Sequence, residues 1–300
     1  MRTKSYQLAK KIYAKTGGDT QTYYDWVDAF GVYLNDCRVK GIDADYDYSH
    51  RRGEWSDECM KLHEMNRKIM QKIAADMRKL GADVGELYNV YSKCLLIEAP
   101  WDFDSFCLCL ELDRPPKEKF YQPRRKTMKR IADELQKLED DELDELFLSQ
   151  PARTGKSTLA LFFVLFEIGK HPNRSNLYCT YSDTVARAFY NGLMEILTDD
   201  MTYNYKKIFP RSPVVQKNAS DLTINMVRKT RYQTVTCRSI DGTLNGAVDC
   251  DGILIGDDLC SGYEEAINTD RMMRLWGKVS NNLLPRAKQF AKKLWWGTSW

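Results

Sequence analysis

Histidine is scarce in this chain. There are three in 300 residues, His50, His63 and His171, and none lies near another. The nine cysteines never form a C-x-x-C pair, so the ligand spacing that zinc sites require is missing. Cysteines without a disulfide framework point to free thiols in a reducing compartment. Long apolar runs are also missing. The longest, Leu159 to Phe166, is about half of what a membrane-spanning helix needs. The opening Met1-Arg-Thr-Lys-Ser-Tyr6 starts no apolar segment, so no signal peptide is visible. Neither sign of charge dominates: 45 Lys and Arg against 42 Asp and Glu leave a net +3. That balance does not by itself argue for nucleic acid, and any basic surface would have to be local. The expectation is a soluble, intracellular protein.

What the chain does have is Leu146-Phe-Leu-Ser-Gln-Pro-Ala-Arg-Thr-Gly-Lys-Ser-Thr158. A short apolar run leads into a loop, the loop ends in Gly155-Lys156-Ser157, and an apolar helical pattern begins at once. Strand, phosphate-sized loop and helix in that order suit a nucleoside triphosphate. Loop N–H groups and the positive end of the helix dipole would face the phosphates. Lys156 would reach the β- and γ-phosphates, and the Ser157 hydroxyl would ligate Mg²⁺. The candidate phosphate-binding residues are Gln150, Pro151, Ala152, Arg153, Thr154, Gly155, Lys156, Ser157 and Thr158. The usual G-x-x-x-x-G-K-[ST] pattern wants glycine where Gln150 stands.

Residues 1–115 read as mainly helical. Met60, His63, Met65, Ile69, Ile73, Met77 and Leu80 form a helix-spaced apolar stripe, and Gly81 stops it. The segment Asp43–Glu54 has acids where a calcium loop has them at positions 1, 3, 5 and 12. It lacks the glycine needed at position 6 and carries His50, Arg51 and Arg52 instead. A solvated acidic turn is the better expectation. Arg114-Pro115-Pro116 breaks the helical pattern and marks a domain boundary, with a second domain over 116–300. A basic stretch, Lys117–Lys126, follows and suits either a solvated loop or a contact with nucleotide or DNA. Met128, Ile131, Leu135 and Leu138 then lie on one helical face, and an acidic patch runs from Glu139 to Glu145.

Past the loop, strand and helix signals alternate. Strands are expected at Asn176–Tyr181, Gly252–Asp258 and Lys293–Gly297, and helices at Thr184–Leu197 and Tyr263–Leu283. Asp221–Met226 and Tyr232–Arg238 suit a hairpin. Such alternation implies an α/β fold, a mostly parallel sheet flanked by helices, preceded by the helical N-terminal region. Ligands then sit at the carboxyl ends of the strands, where both Gly155-Lys156-Ser157 and Asp257-Asp258 fall. Asp257 is placed to hold Mg²⁺, and Asp258 to accept a proton from the attacking water or to orient it.

Several segments together resemble the large terminase subunit of tailed bacteriophages. They are Pro151–Ser157, Gly169-Lys-His-Pro-Asn-Arg174, Tyr178-Cys-Thr-Tyr-Ser182 and Asp241-Gly-Thr-Leu-Asn-Gly246. The Asp257-Asp258 strand end, Glu264-Glu265-Ala266 and Gly297-Thr-Ser-Trp300 complete the set. They cover about residues 116–300, in order and with compatible spacing.

The resemblance implies a P-loop ATPase motor that uses ATP and Mg²⁺ to package double-stranded DNA into a procapsid. Partners implied are a portal, a small terminase subunit and other copies of the chain in a ring, in the cytoplasm of an infected bacterium. Walker A would be Gln150–Ser157, Walker B the strand ending at Asp257, and the catalytic carboxylate Asp258. Arg153 would reach the γ-phosphate, and Gly297 and Thr298 belong to the coupling motif. A nuclease domain follows the motor in that family and is expected downstream of Trp300. Many relatives have Glu where Asp258 stands, and Ser299, with Asn282, takes places where relatives have arginine. Arg271, Arg274 and Arg286 are the substitutes this chain offers. A helicase-like ATPase, or a nucleotide-binding docking module with weak hydrolysis, is the alternative.

Overall fold

In the computed structural model, residues 3–80, 84–244 and 248–299 are described. Gly81, Asn245, Gly246 and Trp300, each named above, lie outside them. The chain divides into two units, 1–112 and 113–300.

The first unit is helical: α1 (Lys4–Tyr13), α2 (Thr20–Lys40), α3 (Asp43–Tyr46), α4 (Asp57–Leu80), α5 (Gly85–Glu98) and α6 (Phe103–Leu110). Side-chain oxygens start three of them, because the first N–H groups of a helix lack partners. Thr3 accepts from Tyr6 N–H, Asp19 from Gln21 N–H and Asp102 from Ser105 N–H. The apolar stripe does lie on one helix, α4. Its buried face runs Cys59, Leu62, His63, Asn66, Ile69, Met70 and Ile73, while Met60 and Leu80 are exposed. The buried polar groups on that face are linked together. Asn66 accepts from Trp26 Nε1 at 2.7 Å and donates to Glu98 at 2.9 Å, and His63 Nδ1 lies 3.0 Å from the same carboxylate. The acidic segment corrects the expectation of a solvated turn. Asp45 is buried on α3 and accepts from Tyr33 Oη at 2.9 Å and Ser56 N–H at 2.7 Å. An acid tied into core donors in this way is structural.

In the second unit α7 (Tyr121–Glu139) absorbs most of the basic stretch. Pro123 falls in its first turn, where a missing N–H costs no helical hydrogen bond. Among the described residues seven strands follow: β1 (Glu145–Pro151), β2 (Asn176–Thr180), β3 (Val214–Asn218), β4 (Thr223–Met226), β5 (Val235–Ser239), β6 (Ile253–Asp257) and β7 (Lys292–Ser299). The helices between them are α8 (Lys156–Lys170), α9 (Asp183–Thr198), α10 (Tyr205–Ile208), α11 (Tyr263–Ala266) and α12 (Thr269–Lys278). The sheet order is β1-β7-β6-β2-β5-β4-β3. β1 through β5 in that order pair in parallel, and β4 and β3 add antiparallel at one side. The expected pairing of β4 with β5 is present, and β3, with exposed Gln216 and Lys217 at its centre, was not legible.

The apolar run becomes α8, buried at every position from Leu159 to Lys170, as a helix apolar all round should be. The acidic patch from Glu139 to Glu145 is not uniform in its burial. Glu139 is buried at the end of α7, with Lys170 Nζ 2.9 Å and His171 Nε2 3.3 Å from its Oε1. Gly169, just before that pair, leaves room for the Phe209 ring; a Cβ there would come within 2.2 Å of it.

Candidate functional site

The chain leaves β1 through α8 and skips two places in the sheet before forming β2. The gap is filled later by β6 and β7. Strand order therefore opens a crevice at the carboxyl ends of β1, β7 and β6, the place where α/β sheets hold ligands.

The loop after β1 is built tightly. Thr154 Oγ donates to Pro151 O at 2.8 Å. Arg153, exposed at the tip, and Gly155 both lie in the left-handed region, at φ +63 and +94. Left-handed residues in a short loop can turn neighbouring N–H groups to a common side and so form an anion-binding concavity. Gly155 is required twice over. Besides its φ, a Cβ would stand 2.5 Å from Phe120 Cε2 and 2.7 Å from Met128 Cε. Phe120, just ahead of α7, thus walls the loop, and the Arg124 guanidinium lies over its ring, 5.1 Å from the centroid.

Lys156 opens α8 with its side chain buried. Its Nζ lies 3.1 Å from Asp257 Oδ1, pairs with Asp258 Oδ2, and donates to Thr298 Oγ at 3.3 Å. One ammonium thus bridges the ends of β6 and β7. Asp257 is nearly inaccessible. Its Oδ2 accepts from Tyr178 Oη at 2.8 Å and from Ser157 Oγ at 3.4 Å. Its Oδ1 meets the ammonium at ion-pair distance and has no other partner among the described residues. Burial pushes the Asp257 carboxyl above its ordinary range, while the Lys156 charge and the Tyr178 hydrogen bond pull it back. Burial raises the Tyr178 phenol as well, and the Asp257 charge adds to it.

Asp258 sits one residue beyond β6 with φ +42, in the left-handed region, and its N–H donates to Trp296 O at 2.8 Å. Thr298 N–H donates to Asp258 Oδ1 at 2.8 Å, and Thr298 Oγ lies 2.9 Å from the same oxygen. Gln150 lies within β1 opposite Thr298, and its Oε1 accepts from Trp296 Nε1 at 2.9 Å. Of the residues singled out from the sequence, Lys156, Ser157, Asp257, Asp258 and Thr298 come together. Pro151, Ala152, Arg153, Thr154 and Gly155 make the adjoining loop. Thr158 follows on α8, and Gly297 precedes Thr298 on β7. Arg271 and Arg274 lie on α12 and Arg286 in the turn 284–286; no ion pair joins them to the cluster.

Tyr178, Trp296 and Phe120 were missed as parts of this site. Tyr178 stood only within the resembling segment Tyr178–Ser182 with no role of its own, and it and Trp296 otherwise read as ordinary strand aromatics. Phe120 stands inside a basic stretch, which was its one available signal. The group offers one cation, two carboxylates and three hydroxyls beside a tight loop at a helix start. That donor set suits an anion and a hard cation together. No family model matches the chain, and comparison with curated proteins returns no significant match.

Proposed function

We propose that the chain binds ATP with Mg²⁺ at this cluster and hydrolyses it, as the motor part of a large terminase subunit of a tailed bacteriophage. The observation that carries the ATPase reading is Lys156. It starts a helix after a tight loop and meets two consecutive acids about a hundred residues further along the chain, Asp257 and Asp258. In this reading Lys156 exchanges its two carboxylate partners for the β- and γ-phosphates. Ser157 Oγ and Asp257 would hold Mg²⁺, which when bound neutralises phosphate charge. Asp257 Oδ1, which meets the Lys156 ammonium, and the nearby Ser157 hydroxyl are oxygen donors of the kind that ion takes. Asp258, freed from Lys156 and still held by Thr298, orients the attacking water and accepts its proton. Arg153, on the loop tip, stabilises charge on the γ-phosphate.

The packaging role rests on the sequence resemblance over 116–300. It brings double-stranded DNA, a portal, a small terminase subunit and a ring of copies as proposed partners. ATP binding and turnover, each with and without duplex DNA, test the reading in two steps. Lys156→Ala is expected to abolish binding, and Asp258→Asn to keep binding and lose turnover. Turnover at the wild-type rate in Asp258→Asn removes Asp258 as the base. Turnover indifferent to duplex DNA and to protein concentration removes the ring motor and leaves a self-contained ATPase.

A further inference from the structure

A polar cavity lies at the same edge of the sheet, beyond β6. It has a volume of about 350 Å³ and is lined by Tyr181, Asp241, Ser261, Glu265, Arg271 and Arg274, with Lys278 and three aliphatic side chains completing it. Tyr181 follows β2, Asp241 follows β5 and Ser261 follows β6, so three strand ends floor the cavity and α12 walls it. None of the residues around Lys156 lines it.

The cations are arranged by helix geometry. Arg271, Arg274 and Lys278 are spaced three and four residues apart, which puts them on one stripe of α12. Their partners differ. Lys278 pairs with Asp241. Glu265 accepts from Ser261 N–H at 2.8 Å and Ser261 Oγ at 2.6 Å. Both acids are thus engaged by other groups. Arg271 spends its backbone N–H on Asn268 Oδ1 at 3.0 Å, and its charge helps to hold Glu265 below the ordinary range, but among the described residues neither the Arg271 nor the Arg274 guanidinium has a hydrogen bond or ion pair. Two guanidiniums one turn apart, facing a concave polar space, present paired forks of donors. That is the geometry by which arginine takes a phosphate oxyanion in preference to a lysine-like point contact.

We propose that this cavity is a second anion site, which binds a phosphate group through Arg271 and Arg274 with Tyr181 as its aromatic wall. The site does not depend on ATP binding at Lys156. The group can be carried on a nucleic-acid backbone or be free, as inorganic phosphate or pyrophosphate, and the two sources give different signatures. A backbone bound through two phosphates releases counterions in proportion, so affinity falls with salt more steeply by about 1.8 in log–log slope. A free oxyanion competes directly and shows no dependence on chain length.

The test uses the full chain carrying Lys156→Ala, which silences the other cluster. One arm measures pyrophosphate binding by calorimetry. The other measures anisotropy of a labelled duplex oligonucleotide at several salt concentrations. Arg271→Gln/Arg274→Gln is expected to weaken whichever probe binds by roughly tenfold or more, since each charge-assisted contact is of that order. Arg271→Lys/Arg274→Lys should recover part of the duplex binding and little of the pyrophosphate binding. Both arginines are exposed, so an unchanged melting temperature in the Gln variant excludes unfolding as the cause. If neither probe binds the Lys156→Ala chain, or if binding is the same with and without the two arginines, the cavity is not an anion site. That outcome leaves the ATP reading untouched, because the latter is tested by Lys156 and Asp258 in the unaltered cavity.

Discussion

Thr298 donates its backbone N–H to Asp258 Oδ1 at 2.8 Å, and its hydroxyl lies 2.9 Å from the same oxygen. The end of β7 therefore sets the position of the acid that follows β6. On the proposed reading, Thr298→Val keeps the backbone donor and removes the hydroxyl, so Asp258 is held by one bond instead of two. The expected result is a loss of roughly tenfold in kcat with the KM for ATP nearly unchanged, and recovery in Thr298→Ser. A rise in KM at constant kcat would mean that Thr298 serves binding and does not position the acid.

Lys156→Ala should also change stability in a way that depends on pH. It leaves buried Asp257 beside Asp258 without a cation. Breaking such a pair costs about 3 kcal/mol at neutral pH, and the remaining bonds from Tyr178 and Ser157 offset part of it. The Asp257 carboxyl is already raised in the intact protein, and losing the ammonium raises it further. An acid whose folded pKa is raised contributes stability at low pH and loses it as pH rises through that value. Denaturant titrations should therefore find the variant closer to wild type at pH 5 than at pH 7.5. Asp257→Asn in the same chain should remove that pH dependence.

The ion cluster joining α7 and α8 predicts acid sensitivity. Burial lowers His171 to about 4, with the hydrogen bond to Glu139 acting in the opposite direction. Between that value and the usual 6.5 the unfolded chain binds a proton that the folded chain does not, so stability falls as pH drops. The full window is worth about 3 kcal/mol. Glu139 acts in the same direction, but at lower pH. Despite burial, the Lys170 charge and the His171 hydrogen bond hold it well below the carboxylate range. Its contribution is present above the usual 4.5 and is lost only in stronger acid. His171→Gln should flatten the melting-temperature profile between pH 6.5 and 4.5 and leave the fall below pH 4 in place.

Gly155→Ala tests the loop itself. The left-handed φ costs about 1 kcal/mol for a non-glycine residue, and the contact with Phe120 adds to it. A total near 2 kcal/mol is expected from chemical denaturation. In a Phe120→Ala background that contact disappears while the φ cost and the contact with Met128 Cε stay, so the penalty should fall but not vanish. An equal penalty in both backgrounds would show that Phe120 yields freely.

Local pattern was enough to read most of the elements and the loop. Period and punctuation carried α4, α8 and α9, and strands β1, β2, β6 and β7. Glycine at 155 followed by lysine and serine marked a strand-to-helix turn. These features are local, and local pattern records them. Which face of Asp43–Glu54 is wet, where Glu139 goes and how β3 joins the sheet are different questions. Tertiary packing decided them: Asp45 became a core acceptor once Tyr33 and Ser56 lay beside it, and Glu139 was buried because Lys170 and His171 met it. The same holds for the site. Lys156, Tyr178, Asp257, Asp258, Trp296 and Thr298 come from four elements and the residue after β6. Only the insertion of β7 and β6 between β1 and β2 brings their side chains within hydrogen-bond reach. A contact between residues over a hundred positions apart leaves no periodic trace, because it depends on strand order, and strand order is a property of the folded sheet.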